Sequence, residues 1–256
     1  MTHPFFTGTA TPRIFAHRGL VLPEAAAHGV VENSFAAVAT AHAEGVEYVE
    51  SDCHLTADGV VVLFHDSDLA RVAGDPRAVA DVSSHELEEI MSQRGGLITL
   101  RQALESFPDL RFNLDVKAAA AAEQVGQLVA PHSNRVLITS FSDERRMLAL
   151  ASAARAGGTP ATSAGTRTVA TLLAASSLGV QRLAHRRVEK VDALQIPERK
   201  GMLRILTPRL IRAAHQFEIE VHVWTVNDVE TMLRLLRMGI DGIVTDRADL
   251  ALAVLR

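Results

Sequence analysis

Cysteine is almost missing from this chain: Cys53 stands alone among 256 residues. An intrachain disulfide is therefore excluded, and nothing demands an oxidising compartment. No apolar run approaches the roughly 20 residues that a membrane-spanning helix needs. The amino terminus, MTHPFFTGTATPRI, lacks the basic start and apolar core of a secretory signal. Positive charge is not in excess either, with 26 Lys and Arg against 30 Asp and Glu and a formal net charge of −4. That balance argues against nucleic acid or an anionic membrane as the main partner, and the lack of a long apolar run argues against membrane insertion. The basic run RLAHRRVEK, residues 182–190, reads as a solvated face. Linkers, low-complexity tracts and repeats are also absent. A cytoplasmic protein with a small-molecule partner is the expectation that remains.

What the chain does have is apolar mass, 48% of its residues, enough for one large core. Its most informative stretch is residues 47–66, EYVESDCHLTADGVVVLFHD. Strand-favouring residues flank Asp58-Gly59, a strong hairpin signal, so two strands joined by a tight turn are expected. Side chains alternate along a strand, which puts Glu50 and Asp52 on one face with His54 beside them and turns Cys53 away. Paired carboxylates repel unless a cation lies between them, and hard oxygen donors suit Mg2+, Ca2+ or Mn2+. His65-Asp66 closes the returning strand with an imidazole able to exchange protons near neutral pH.

Elsewhere the chain alternates strands and helices. Strands begin near 14, 48, 111, 136, 160, 193, 220 and 242, and nearly every one is followed by a helix. Residues 20–31 read as a loop, and 67–98 as an irregular excursion with a short helix from Ser84 to Met91, capped by Ser83 or Ser84. Eight such units in about 250 residues predict a single-domain closed (β/α)8 barrel spanning 1–256, with the 67–98 excursion after the second strand. Barrel chemistry gathers at the carboxyl ends of the strands. There stand His17 and Arg18, Glu50 and Asp52, Asp115 and Lys117, Ser140, Trp224 through Asn227, and Thr245 with Asp246. Three carboxylates, two fixed cations and two histidines make an inventory suited to a phosphodiester: cations neutralise nonbridging oxygens, and the histidines move protons. Trp224, the sole tryptophan, is expected as an apolar wall. Asn227 either belongs to the site or caps the following helix. Thr245 and Asp246 are expected to cap the last helix or tie the barrel closed.

The sequence resembles the glycerophosphodiester phosphodiesterases. The elements that carry the resemblance are AHRG (16–19), ENS (32–34), ESDCHLTADG (50–59), FHD (64–66), NLDVK (113–117), SF (140–141), VWTVN (223–227) and GIDGIVTDR (239–247). The resemblance implies a TIM barrel with a divalent ion held by Glu50, Asp52 and Asp115. It implies His17 and His65 as the acid/base pair, Arg18 and Lys117 as phosphate ligands, and the 67–98 insertion over the barrel mouth. The implied reaction is attack of the glycerol 2-hydroxyl on phosphorus, then hydrolysis of the cyclic phosphate, releasing an alcohol and glycerol 3-phosphate. Two positions depart from the family pattern: Val31 replaces a proline, and Asp115 a glutamate. The second is shared with the related sphingomyelinase D and phospholipase D-like barrels, which makes action on lysolipids the alternative. A non-catalytic phosphodiester-binding barrel is a further one. Headgroup specificity is expected in 20–31, 67–98 and 157–200. Exposed apolar residues leave room for a homodimer.

Overall fold

Residues 2–180 and 188–255 are described by a computed structural model. Eight strands form the barrel: β1 (Arg13–His17), β2 (Tyr48–Leu55), β3 (Arg111–Val116), β4 (Val136–Thr139), β5 (Ala161–Thr162), β6 (Ala193–Ile196), β7 (Glu220–Val223) and β8 (Gly242–Thr245). Neighbours pair in parallel in the order β5-β4-β3-β2-β1-β8-β7-β6. The two ends of that order meet at a parallel bridge between Ser163 and Ala193, so the ring is nearly closed. The predicted β-hairpin is present, with Val61–Leu63 returning antiparallel along β2.

Strand alternation sorts the side chains. Phe15, Tyr48, Leu137, Ala161, Ala193 and Val244 come from six strands and pack together with Phe5 and Phe6. The alternate positions, such as Ile14, Val49, Phe112, Leu114 and Ile243, join the larger apolar layer shared with the helices. His17 follows Phe15 at a spacing of two, as Glu50 and Asp52 follow Tyr48. The inward phase of each strand thus turns from apolar to polar along its length.

Several helix starts carry side-chain caps. Ser34, Thr99, Ser142, Thr207 and Asp228 each accept a backbone N–H at the start of a helix. Ser83 and Glu86 form a reciprocal capping box. Asp228, not Asn227, caps its helix. One expectation is corrected, and two further features are added. Residues 20–31 contain a short helix, Pro23–Ala27, whose proline sits at a first-turn position where no donor is lost. After β3 comes a helix, Ala122–Val129, flanked by 3-10 turns. A two-stranded hairpin, Arg199–Lys200 with Leu203–Arg204, went unread because its strands are too short to show a period. The basic run at 182–190 falls largely outside the described residues. Residues 67–98 carry their own apolar cluster, including Val79, Val82, Leu87 and Met91.

Candidate active site

The motif around β1 has a backbone reason. Arg18 takes φ +60° while its N–H donates to the Glu50 carbonyl at 2.7 Å and its carbonyl accepts from Asn33 N–H at 2.8 Å. Gly19 follows at φ +85°, and a Cβ there would lie 2.7 Å from the Ala37 carbonyl carbon. Only glycine lets the chain pass the second helix that closely. Arg18 is thereby aimed across the mouth of β2.

At β2 and β3 the carboxylates meet cations. Asp52 is paired in register with Asp115, and Glu50 with Asn113. Lys117 Nζ lies 3.0 Å from Asp52 Oδ1 and 2.8 Å from Asp115 Oδ2. Asp52 Oδ2 accepts from Asn33 Nδ2 at 3.2 Å and lies 3.3 Å from Arg18 Nε. Glu50 is left out of this neutralisation. Its Oε2, like Asp115 Oδ1, is buried without a hydrogen-bond partner. Burial, with Asp52 and Asp115 adding repulsion, holds the Glu50 carboxyl well above the ordinary range. Asp115 is also raised, mainly by burial, although Lys117 opposes it. Lys117 is raised: burial works against its charge, but the two aspartates outweigh it.

Each histidine carries an aspartate on one ring nitrogen. His17 Nδ1 lies 2.6 Å from Asp246 Oδ1, and its Nε2 lies 3.9 Å from Glu50 Oε2. His65 Nδ1 lies 2.6 Å from Asp66 Oδ1. Both aspartates are held below the usual carboxylate range, because hydrogen bonds from their partners outweigh the opposing effect of burial. Asn227 holds Asp246 in turn, donating to Oδ2 at 2.7 Å and accepting the Asp246 N–H at 2.9 Å. Asp66 accepts from Arg71 Nε at 2.6 Å, and Arg71 reaches Glu32 at 2.7 Å. Glu32 also accepts from Arg18 at 2.9 Å. An ionic chain therefore runs from His65 to Arg18.

These side chains open into one cavity of about 620 Å³, within the range of roughly 300–1,000 Å³ usual for small-molecule sites. His17, Arg18, Glu50, Asp52, His65, Asp115, Lys117 and Trp224 all line it. Lys117 stands 5.4 Å from the centroid of Phe141, which packs edge-on against Trp224 at 5.8 Å. His54 does not line the cavity; its Nε2 is 3.2 Å from the His65 carbonyl oxygen. Residues 20–31 and 67–98 do not line it either, whereas Thr166, Leu173, Gln195 and Arg199, from the third stretch expected to set specificity, do. Asp246 and Arg71 were not singled out in the sequence as partners of the histidines. Asp246 lies in the GIDGIVTDR element at the end of β8, but nothing there points to His17; for Arg71 there is no signal at all.

The donor set suits a hard cation. Three buried carboxylates face one cavity, and two of their oxygens have no partner. Among the described residues, however, no three His, Cys, Asp or Glu side chains are grouped as a metal site. Lys117 is the cation that bridges Asp52 and Asp115.

The profile of the Glycerophosphoryl diester phosphodiesterase family matches residues 17–250. The chain belongs to that family. It is 37% identical over 243 residues to the probable glycerophosphodiester phosphodiesterase 2 of Mycobacterium tuberculosis, covering 94% of this chain and 89% of that one. Among solved structures, the glycerophosphodiester phosphodiesterase of Thermotoga maritima superposes with a TM-score of 0.72 at 24% identity, over 97% of this chain and 100% of the other. A phosphodiesterase of Oleispira antarctica, in complex with the product sn-glycerol-3-phosphate, gives 0.71 at 20%, over 96% and 97%. The barrel and the family enzyme class thus agree with the reading of the motifs.

Proposed function

We propose that this chain hydrolyses glycerophosphodiesters to an alcohol and sn-glycerol 3-phosphate, with His17 and His65 as the proton-transfer pair. The observation that carries this reading is the pair of His-Asp couples facing one cavity that also holds Arg18 and Lys117. With Nδ1 of each ring tied to an aspartate, Nε2 is the nitrogen left to exchange a proton with substrate. Arg18 and Lys117 bind the nonbridging oxygens of the diester. One imidazole removes a proton from the attacking glycerol 2-hydroxyl, and the other gives one to the leaving alcohol oxygen. Water then opens the cyclic phosphate with those roles exchanged, so that one water is consumed per diester. Trp224 and Phe141 form an apolar wall along one side of the cavity, against which the substrate's carbons can pack. Glu50, Asp52 and Asp115 would hold a divalent ion, Mg2+ or Ca2+ and also Mn2+, which supplies Lewis-acid stabilisation of phosphoryl charge when bound.

The test is release of glycerol 3-phosphate from glycerophosphocholine and glycerophosphoethanolamine. Protein is stripped with chelator and given back Mg2+, Ca2+ or Mn2+ in turn. Activity should return with an ion and should be lost in Glu50→Ala. Folded protein silent with every ion would sink the reading.

A further inference from the structure

The hairpin that the sequence did not announce is unusual in what it leaves exposed. Its six residues, Arg199 to Arg204, include three cations and no acid. Met202 at its tip is 96% exposed and Leu203 59%. Phe141, on the β4 side of the same cavity, is also 59% exposed. These are among the most exposed large apolar side chains described, and single exposed apolar residues need no explanation. Here they sit together with the cavity: Arg199, Lys200, Leu203 and Phe141 all line it. Arg199 donates to the Met202 carbonyl within the hairpin, and Arg204 lies 3.7 Å from Glu198. Glu198 is already engaged by Arg234 at 2.7 Å, so it does not cancel the positive charge of the loop.

We propose that the 199–204 hairpin is a lipid-surface contact, which seats the cavity mouth on an anionic phospholipid surface. The occupant follows from the chemistry of the loop. An apolar tip with cations at its base matches the layering of an interface, where acyl chains lie below a plane of phosphates. A protein partner reading only charge would have no use for Met202 at the tip, and a purely apolar partner none for Arg199 and Lys200. The wall behind the hairpin is apolar as well, through Ile196, Pro197 and Ile205, so the surface continues into the cavity. Net charge hid this. The chain as a whole carries −4, and although cations and apolar residues are neighbours in the sequence here, only the fold exposes them at the cavity rim.

Cosedimentation with vesicles tests the idea without any turnover, and so independently of the proposed reaction. The full chain should bind vesicles of phosphatidylglycerol and phosphatidylcholine in equal parts at least ten-fold more tightly than pure phosphatidylcholine. Binding should weaken several-fold between 50 and 500 mM salt, conditions chosen to span strong and weak screening (roughly 10 Å Debye length near 0.1 M). Both Met202→Asp and Arg199→Glu/Lys200→Glu should weaken it at least ten-fold; these residues are exposed, and unfolding temperature checks that the fold is kept. No preference for anionic vesicles would overturn the proposal. So would binding that ignores Met202→Asp, which would reduce the loop to a charged patch. Glycerophosphodiester hydrolysis without vesicle binding would leave the proposed reaction standing and remove only the surface contact.

Discussion

His17 and His65 are held in the same manner although they stand at or just past the carboxyl ends of two different strands. Each places Nδ1 against an aspartate at 2.6 Å. An aspartate so placed fixes the tautomer and favours the charged ring that forms during proton transfer. Replacing either imidazole should lower kcat by about 10²- to 10⁴-fold, and the rate of glycerol 3-phosphate release measures it. Asp246→Asn is the more instructive change, because it keeps the shape but removes the charge and, with the remaining oxygen held by the donating Asn227 amide, turns an N–H towards His17. It should lower kcat by roughly 10²-fold or more while KM moves little, since the amide supports the wrong tautomer. A KM effect with kcat intact would instead place Asp246 in substrate binding.

Arg71 shows how an element outside the cavity reaches into it. The short helix Ala70–Ala73 has no residue lining the cavity, yet its arginine ties Asp66 to Glu32, and Glu32 to Arg18. Arg71→Ala should therefore lower kcat by roughly ten-fold, a size usual for residues that hold the partners of a site. Arg71→Lys should recover little of that, because one ammonium cannot replace a fork that meets two carboxylates. Helix packing is set just as locally at Gly126. A Cβ there would come within 2.3 Å of the Ala149 carbonyl oxygen and 2.5 Å of Ser152 Cβ. Gly126→Ala should cost about 1–3 kcal/mol through overpacking of the helices Ala122–Val129 and Asp143–Arg155, read by urea unfolding.

The barrel is stabilised at its other end by an ion pair. Arg13 donates to both oxygens of Glu220 at 2.7 Å, and His222 Nε2 lies 3.0 Å from one of them. Burial raises the Glu220 carboxyl, but the hydrogen bonds from His222 and Arg13 win and hold it at about 2, against an ordinary 4.5. Its folded value is the lower one, so its contribution is complete above about 4.5 and is lost as pH falls from there towards 2. Unfolding temperature should drop through that window. In Glu220→Gln it should start lower, with a loss on the order of 3–5 kcal/mol from leaving Arg13 unpaired, and should depend less on acid. A variant that follows the same acid profile as the parent would show that other carboxylates carry the effect.

How much of this was open to the sequence depends on range. Local signals sufficed for the eight strands, the 58–59 turn, the capped helix that starts after Ser83, and the phase that put Glu50 and Asp52 together. Strand period, turn chemistry and capping act within a few residues, so they leave a mark in the order of the chain. Motif order carried the family, because a barrel turns consecutive strand ends into one cavity. Pairings across long separations left no such mark. Asp246 meets His17 over 229 positions, and nothing near either residue records it. The same holds for Arg71 with Glu32 and for Lys117 with Asp52, whereas Lys117 and Asp115 are neighbours two residues apart whose pairing is open to a local reading. The hairpin at 199–204 was too short for a period to emerge, and its exposure is a property of the surface rather than of the segment. Sequence by itself determined which residues could do chemistry and on which strand ends they stand. Tertiary structure alone decided which of them touch, which oxygens remain unpaired, and where apolar and basic side chains share the rim, because those depend on distances set only when the ring closes.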